Sequence, residues 1–181
     1  LVKTLGGEHL YGSGSDKIGI ALRELIQNAR DACRAREYLD APHHSVIHVS
    51  ATLESGFVRI SVEDNGVGMS ERVLTGPLLD FGTSFWSTSL MHHEFPGLRS
   101  STFQSVGRFG IGFYSVFMVA NKVWVRTKSW KGAIADTREL VFTETLSTRP
   151  LLLKDATISL SAKVSTRITL DLKPEILPGD M

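Results

Sequence analysis

Three groups of residues have types and spacings that can do chemistry. In the run Arg23-Glu24-Leu25-Ile26-Gln27-Asn28-Ala29-Arg30-Asp31-Ala32, the residues Glu24, Asn28 and Asp31 stand at i, i+4 and i+7. At about 100° per residue they share one stripe of a helix. An Asn oxygen is a hard ligand suited to magnesium, and a Glu one turn away can orient or deprotonate a water, so the pair suits phosphoryl chemistry. Two carboxylates at the rim of a surface helix, paired with arginines one turn away, would give the same pattern. The second group, Asp64-Asn65-Gly66-Val67-Gly68-Met69, puts a carboxylate at the end of an apolar strand. The glycines after it strip the turn of side chains, so a flat ligand can approach the backbone. A buried Asp there needs a hydrogen-bond donor, and an exocyclic adenine amine is one; a tight hairpin in which Asp64 caps its own turn is the alternative. In the third group, Gly107, Gly110 and Gly112 precede an apolar run that begins at Phe113, and their bare amides can converge on an anion. No G-K-[ST] follows, so this is not a Walker A loop, and the setting lacks the context of a dinucleotide fingerprint.

Stepping outward, the first group needs a long helix, capped by Ser15 or Asp16 and running to about Leu39, with Pro42 enforcing a stop. Its wet arc collects Arg23, Gln27, Arg30 and Arg34, and its apolar arc Leu25, Ile26, Ala29, Ala32 and Cys33. Strands at Val46 to Leu53 and Phe57 to Val62, joined through Glu54-Ser55-Gly56, deliver Asp64. A short helix is expected around Glu71 to Leu79 and another from Phe113 to Val119. Further strands are expected at Lys122 to Lys128, Arg138 to Phe142, Ala156 to Ala162 and Thr166 to Leu172. Between Ser70 and Val106 the pattern dissolves into Gly, Ser, Thr, Pro and isolated aromatics, as in functional or mobile loops. The Gly- and Ser-rich opening, Leu5 to Gly14, reads as mobile too. These elements predict an α+β two-layer sandwich, its mixed and mostly antiparallel sheet covered on one face by helices.

The composition, 42% hydrophobic and 22% charged over 181 residues, suits one domain, 1–181, with an ample core. Leu1 and the stretch from Pro174 to Met181 have the look of cuts in a longer chain. Twenty basic residues against nineteen acidic ones argue against a general affinity for nucleic acid or acidic membranes. The sole cysteine, Cys33, excludes an internal disulfide and suits a reducing cytoplasm, where it acts as a small buried hydrophobe. No run reaches the roughly 18 uninterrupted apolar residues of a membrane span.

Taken in order, the Glu24–Asn28–Asp31-Ala32 box, Asp64-x-Gly66-x-Gly68-Met69, Gly107-x-Phe109-Gly110-x-Gly112-Phe113-Tyr114-Ser115 and Ser165-Thr166-Arg167-Ile168 resemble the successive motifs of GHKL (Bergerat-fold) ATPases. The stretch VGRFGIGFYSVFMVANKVWVRTK from Val106 to Lys128 most resembles the amino-terminal domain of the ninety-kilodalton heat-shock chaperones, as a divergent bacterial-type member. The resemblance runs from about Ile18 to Leu172. It implies that ATP or ADP binds with magnesium. Asp64 would then receive the adenine amine and Thr166 share that contact through water. Ala32 and Met69 would line the base pocket, with Gly66 and Gly68 admitting the ring. Asn28 would bind the metal and Glu24 position the attacking water, while Asp31 belongs to the first box in a binding or a structural role. Amides from Gly107 through Gly110 and Gly112 to Phe113 would hold the phosphates, and about 70–106 would form a lid. It also implies a client or partner protein and nucleotide-dependent dimerisation of the full-length protein.

Departures from the pattern accompany the likeness. Asp80 precedes Phe81-Gly82-Thr83 where the chaperones carry an Asn near the nucleotide, and a carboxylate there would repel phosphates. Trp86 stands where they tend to carry a Lys, and His92-His93 is unfamiliar and reads as surface loop. Hydrolysis in the family also uses a basic residue from a following domain, so slow turnover is expected of this chain alone. Two other readings remain open: a MutL-like or MORC-like clamp acting with nucleic acid, and a non-hydrolysing module whose nucleotide only switches shape.

Overall fold

The computed structural model describes residues 16–54, 56–99, 102–107, 110–143, 149–154 and 159–176. The expected mobile opening, Leu5 to Gly14, lies outside them, as do Ser55 of the first hairpin and Arg108-Phe109 of the glycine loop.

Helix α1 spans Lys17–Leu39, and the Asp16 side chain caps it by accepting the Gly19 N–H at 2.8 Å. Strands β1 (Ile47–Glu54) and β2 (Phe57–Asp64) form the expected hairpin. Helix α2 covers only Glu71–Thr75, because Gly76 ends it where the sequence predicted a run to Leu79. Helix α3 (Ser89–Glu94) lies between short 3-10 turns at Phe85–Ser87 and Pro96–Leu98. A 3-10 turn at Gly112–Ser115 leads into α4 (Val116–Val119). Strands β3 (Ala120–Thr127), β4 (Arg138–Thr143), β5 (Leu151–Leu153) and β6 (Thr166–Leu172) complete the sheet.

The strand expected at Ala156 to Ala162 is corrected in its described part: Ser159 to Ser161 have no regular structure and Ala162-Lys163 is a turn. The edge of β4 is paired instead by Leu151–Leu153, and Ser159 to Ser161 pair with no strand among the described residues. The sheet order is β1-β2-β6-β3-β4-β5, and every pairing is antiparallel.

Ile60 and Val62 of β2, Val123 and Val125 of β3, Leu140 and Phe142 of β4 and Leu170 and Leu172 of β6 bury one face of the sheet. Ala21, Leu25 and Ala29 of α1 and Val116, Phe117 and Val119 at α4 close over it. The result is the expected α+β two-layer sandwich. Ile26, assigned to the apolar arc, is 39% exposed, because the buried stripe runs instead through Ala21, Leu25, Ala29 and Cys33. Cys33 is buried, and burial first, with the Asp64 charge second, pushes its thiol up to about 11. No helix among the described residues is long and apolar enough to cross a membrane.

The segment expected to be patternless has a small core of its own. Phe85, Trp86, Phe95 and Phe103 gather with Trp130 around Ala35, Val67, Met91 and Leu98, against the second half of α1. Trp86 meets Phe103 with ring centroids 5.1 Å apart and Phe85 at 5.2 Å. Edge-on and tilted contacts of this kind add about 0.5–1.5 kcal/mol each beyond burial.

Candidate nucleotide site

The register of the sheet builds the floor of the site. Asp64 pairs with Thr166, and Thr166 with Thr127, so three polar side chains stand in a row across β2, β6 and β3, where the apolar face ends. The Thr127 hydroxyl donates to the Ser165 carbonyl at 3.2 Å and accepts the Met69 N–H at 3.0 Å. It also lies 3.0 Å from the Thr166 hydroxyl, either oxygen being able to donate, and in both cases Thr166 keeps a lone pair free to accept. Thr127 is wholly buried, and only this register could have singled it out in the sequence.

Asp64 is 7% exposed. One oxygen accepts the Gly66 N–H at 2.9 Å. Burial pushes the carboxyl up to about 7, against the smaller opposing pull of that N–H, so near neutrality a donor brought to it decides its ionisation.

The turn after Asp64 is clamped from both sides. The Val67 N–H donates to the Ala32 carbonyl at 3.1 Å, and the Trp130 N–H to the Val67 carbonyl at 3.0 Å. A Cβ on Gly66 would lie 2.5 Å from the Ala32 carbonyl carbon, so Gly66 lets the turn seat on α1. Gly68 has φ +66°, and a Cβ there would lie 1.8 Å from the Lys128 carbonyl oxygen; any side chain would force turn and strand apart.

On α1 the predicted stripe divides in two. Glu24 and Asn28 face the glycine loop: a Cβ on Gly112 would come 2.2 Å from Glu24 Oε2, and one on Gly107 3.4 Å from Asn28 Oδ1. Asp31, fully buried, turns elsewhere. Its carboxylate accepts the N–H groups of Val106, at 2.9 and 3.0 Å, and Gly107, at 2.9 Å. The Gly107 amide is thus already engaged, whereas those of Gly110, Ile111 and Gly112 have no acceptor among the described residues. Gly110 has φ +63°, and a Cβ on it would collide at 2.2 Å with the Thr83 carbonyl carbon. At this crossing the Gly82 N–H donates to the Gly110 carbonyl at 3.2 Å and the Ser84 hydroxyl to the Gly107 carbonyl at 2.7 Å.

These parts enclose a cavity of about 420 Å³, within the usual size of small-molecule sites. Of the residues singled out from the sequence, Glu24, Asn28, Ala32, Asp64, Gly68, Met69, Gly107, Gly110, Gly112, Phe113 and Thr166 line it; Asp31 and Gly66 stand behind its wall. Among the lining residues that sequence reasoning did not assign to the site are Gln27, Thr83, Ser84 and Phe85. Gln27 had been assigned to the wet arc, and the others come from the segment without a pattern. Trp86 also lines it. Asp80, expected to bring a carboxylate beside bound phosphates, is exposed and outside the lining. The Gly76 carbonyl takes the Asp80 N–H at 3.1 Å, and the Asp80 carbonyl takes the Thr83 N–H at the same distance. His92 and His93 are exposed on α3, and no group of three potential metal ligands of the His, Cys, Asp and Glu types occurs among the described residues.

Chemically, the cavity offers an apolar slot ending in a buried carboxyl and a hydroxyl acceptor. Opposite stand an Asn oxygen, a carboxylate and free backbone amides. Among the described residues no Lys, Arg or His side chain lines it. The sequence model of the histidine kinase-, DNA gyrase B- and HSP90-like ATPases matches residues 17–167, and the chain belongs to that family. It is similar to proteins named chaperone protein HtpG. The protein of Shewanella sp. (strain ANA-3) is 39% identical over 119 residues, covering 61% of this chain and 18% of that protein. That of Anaplasma marginale (strain St. Maries) is 36% identical over 114 residues, covering 60% and 18%. The match thus spans about a fifth of the length of these curated relatives.

Proposed function

We propose that this chain binds ATP and ADP with magnesium in the 420 Å³ cavity and hydrolyses ATP slowly, as the nucleotide-binding part of a chaperone-like protein. The observation that carries the proposal is the convergence on one cavity of Glu24, Asn28, Asp64, Gly110, Gly112 and Thr166, drawn from four separate stretches of chain.

Asp64 accepts the exocyclic amine of adenine, and Thr166 accepts a water shared with it. Ala32, Met69 and Gly68 flank the ring. The amides of Gly110, Ile111 and Gly112 hold phosphate oxygens. Asn28 Oδ1 is the protein ligand of the metal, and with the Glu24 carboxylate it makes a hard oxygen donor set that fits magnesium. A magnesium held by Asn28 would neutralise phosphate charge. Glu24 orients the attacking water and takes its proton. Asp31 acts on the loop rather than on the nucleotide. The segment 70–106 is the lid, and Trp86 is its apolar wall.

The HtpG relatives are named as chaperones. A client protein, nucleotide-dependent dimerisation of the full-length protein and a cytoplasmic location are extensions of the same proposal. Isothermal titration of the chain with ADP, with and without magnesium, tests the core of it. Saturable binding that strengthens with magnesium and weakens about tenfold or more in Asp64→Asn is expected, since a hydrogen bond to a charged group contributes about 1.5–3 kcal/mol. No heat of binding at high protein concentration would reject the proposal.

A further inference from the structure

Behind the Asp64–Gly68 turn lies a second cavity, of about 390 Å³. Arg36 of α1, His43 and Val46 ahead of β1, His48 of β1, Glu63 to Asn65 at the end of β2 and Ala162 to Val164 ahead of β6 line it. Asp64 borders both cavities, so the turn is their common wall.

The rear cavity is rich in nitrogen, and both carboxylates that line it, Glu63 and Asp64, are already engaged. The Arg36 guanidinium donates to the Asn65 carbonyl at 2.7 Å and lies over the Trp130 ring, 5.2 Å from its centroid; among the described residues its carboxylate contact is Asp40, at 3.4 Å. Of the two lining carboxylates, Glu63 is already ion-paired with Arg167, and Asp64 accepts the Gly66 N–H and is pushed towards its protonated form by burial. Lys163 and His48 are exposed and have no partner among the described residues. The buried His43 Nε2 has none either. Close by, Lys128 is 4% exposed, and its ammonium is disfavoured first by burial and then by the charge of Arg36. Cations and imidazoles crowded in this way, with few acceptors, are stabilised by an anion that reaches several at once.

We propose that this rear cavity binds a small molecule through an oxyanion, a phosphate or carboxylate group, held by Arg36, His43, His48 and Lys163. Its volume exceeds that of a bare anion, and Val46 and Val164 offer an apolar seat for the organic remainder. Arg36 also holds the carbonyl of Asn65, next to Asp64. An anion that draws on this guanidinium therefore acts on the turn that forms the floor of the front cavity. The site itself does not depend on what the front cavity binds.

The test follows the histidine ring signals by NMR while inorganic phosphate or succinate is titrated in at constant ionic strength. It is run with and without saturating magnesium–ADP, which blocks anion entry at the front. Saturable shifts confined to His43 and His48 are expected, with an affinity about tenfold weaker in a His48→Gln, Lys163→Ala double variant, the loss of about one charge-assisted contact. Both substituted residues are exposed, so the fold is retained. Saturation by phosphate identifies a phosphate ligand, and saturation by succinate a carboxylate. If neither anion saturates, or if the double variant responds like the parent, the site does not exist.

Discussion

At Asp64 the protonation of one side chain is linked to the folding of the whole chain. The carboxyl sits at about 7 in the folded protein, against roughly 3.9 in an unfolded one. Between about pH 4 and 7 the folded state therefore keeps a proton that the unfolded state has released. The sign follows: this group makes stability fall as pH rises through that window, by up to about 1.4 kcal/mol per pH unit, and adds no slope outside it. Urea midpoints of the parent and of Asp64→Asn, compared across pH, isolate the effect; the difference between the curves should change between pH 4 and 7 and flatten above. Parallel curves would mean that Asp64 is ionised throughout. An amine donated to this group favours the carboxylate, so ADP binding slightly below neutrality should release a proton. Calorimetry in two buffers of different ionisation enthalpy should detect that release in the parent and not in Asp64→Asn.

Helix α1 and the glycine loop show the same dependence between elements. The loop's backbone at Val106 and Gly107 is tied to a single carboxylate, Asp31, 75 residues away along the chain. Asp31→Ala leaves both amides without an acceptor and should cost about 2–4 kcal/mol. Asp31→Asn keeps one acceptor oxygen and should cost less. Both should weaken nucleotide binding in proportion to the loss of stability seen in thermal melts. An Asp31→Ala protein of normal stability with weakened binding would instead mean that Asp31 touches the nucleotide directly. The sequence could not separate these roles, because a side chain holding remote backbone leaves no periodic trace. Regular elements with strong periodicity were legible: α1 with its Asp16 cap, the first hairpin and β6 all stand within a residue or two of their expected places. Much of the cavity was legible too, because glycines that admit close approach and an Asp at a strand end mark themselves by residue type. The aromatic core around Trp86 was not, since Phe85, Trp86, Phe95 and Phe103 follow no helical or strand spacing and are gathered only by Ala35, Val67 and Trp130. The three-residue strand β5 was hidden for a related reason: Leu151–Leu153 has no alternation, and only the free edge of β4 makes it a strand.

For the molecule as a whole, the composition of the cavity separates binding from turnover. Its described lining holds the carboxylates of Glu24 and Asp64 and no cationic side chain, so on the proposed function charge building on a transferring phosphoryl group would meet, among the described residues, backbone amides and the proposed magnesium. Where an arginine supplied from elsewhere does this work, it accelerates phosphoryl transfer by about 10³–10⁵. On the proposed function the chain should therefore bind ADP well yet hydrolyse ATP slowly, and a cation brought to the phosphates from elsewhere should raise turnover. Adding the remainder of the full-length protein to the same domain should raise turnover by about 10³ or more while leaving ADP affinity within about threefold, because the added cation acts on the transition state. Glu24→Ala distinguishes an enzyme from a shape switch: in an enzyme it abolishes turnover in the full-length protein with ADP affinity intact. If the full-length protein hydrolyses no faster than the domain, and Glu24→Ala leaves its response to nucleotide unchanged, the cavity is a sensor whose bound nucleotide sets the position of the Trp86 lid.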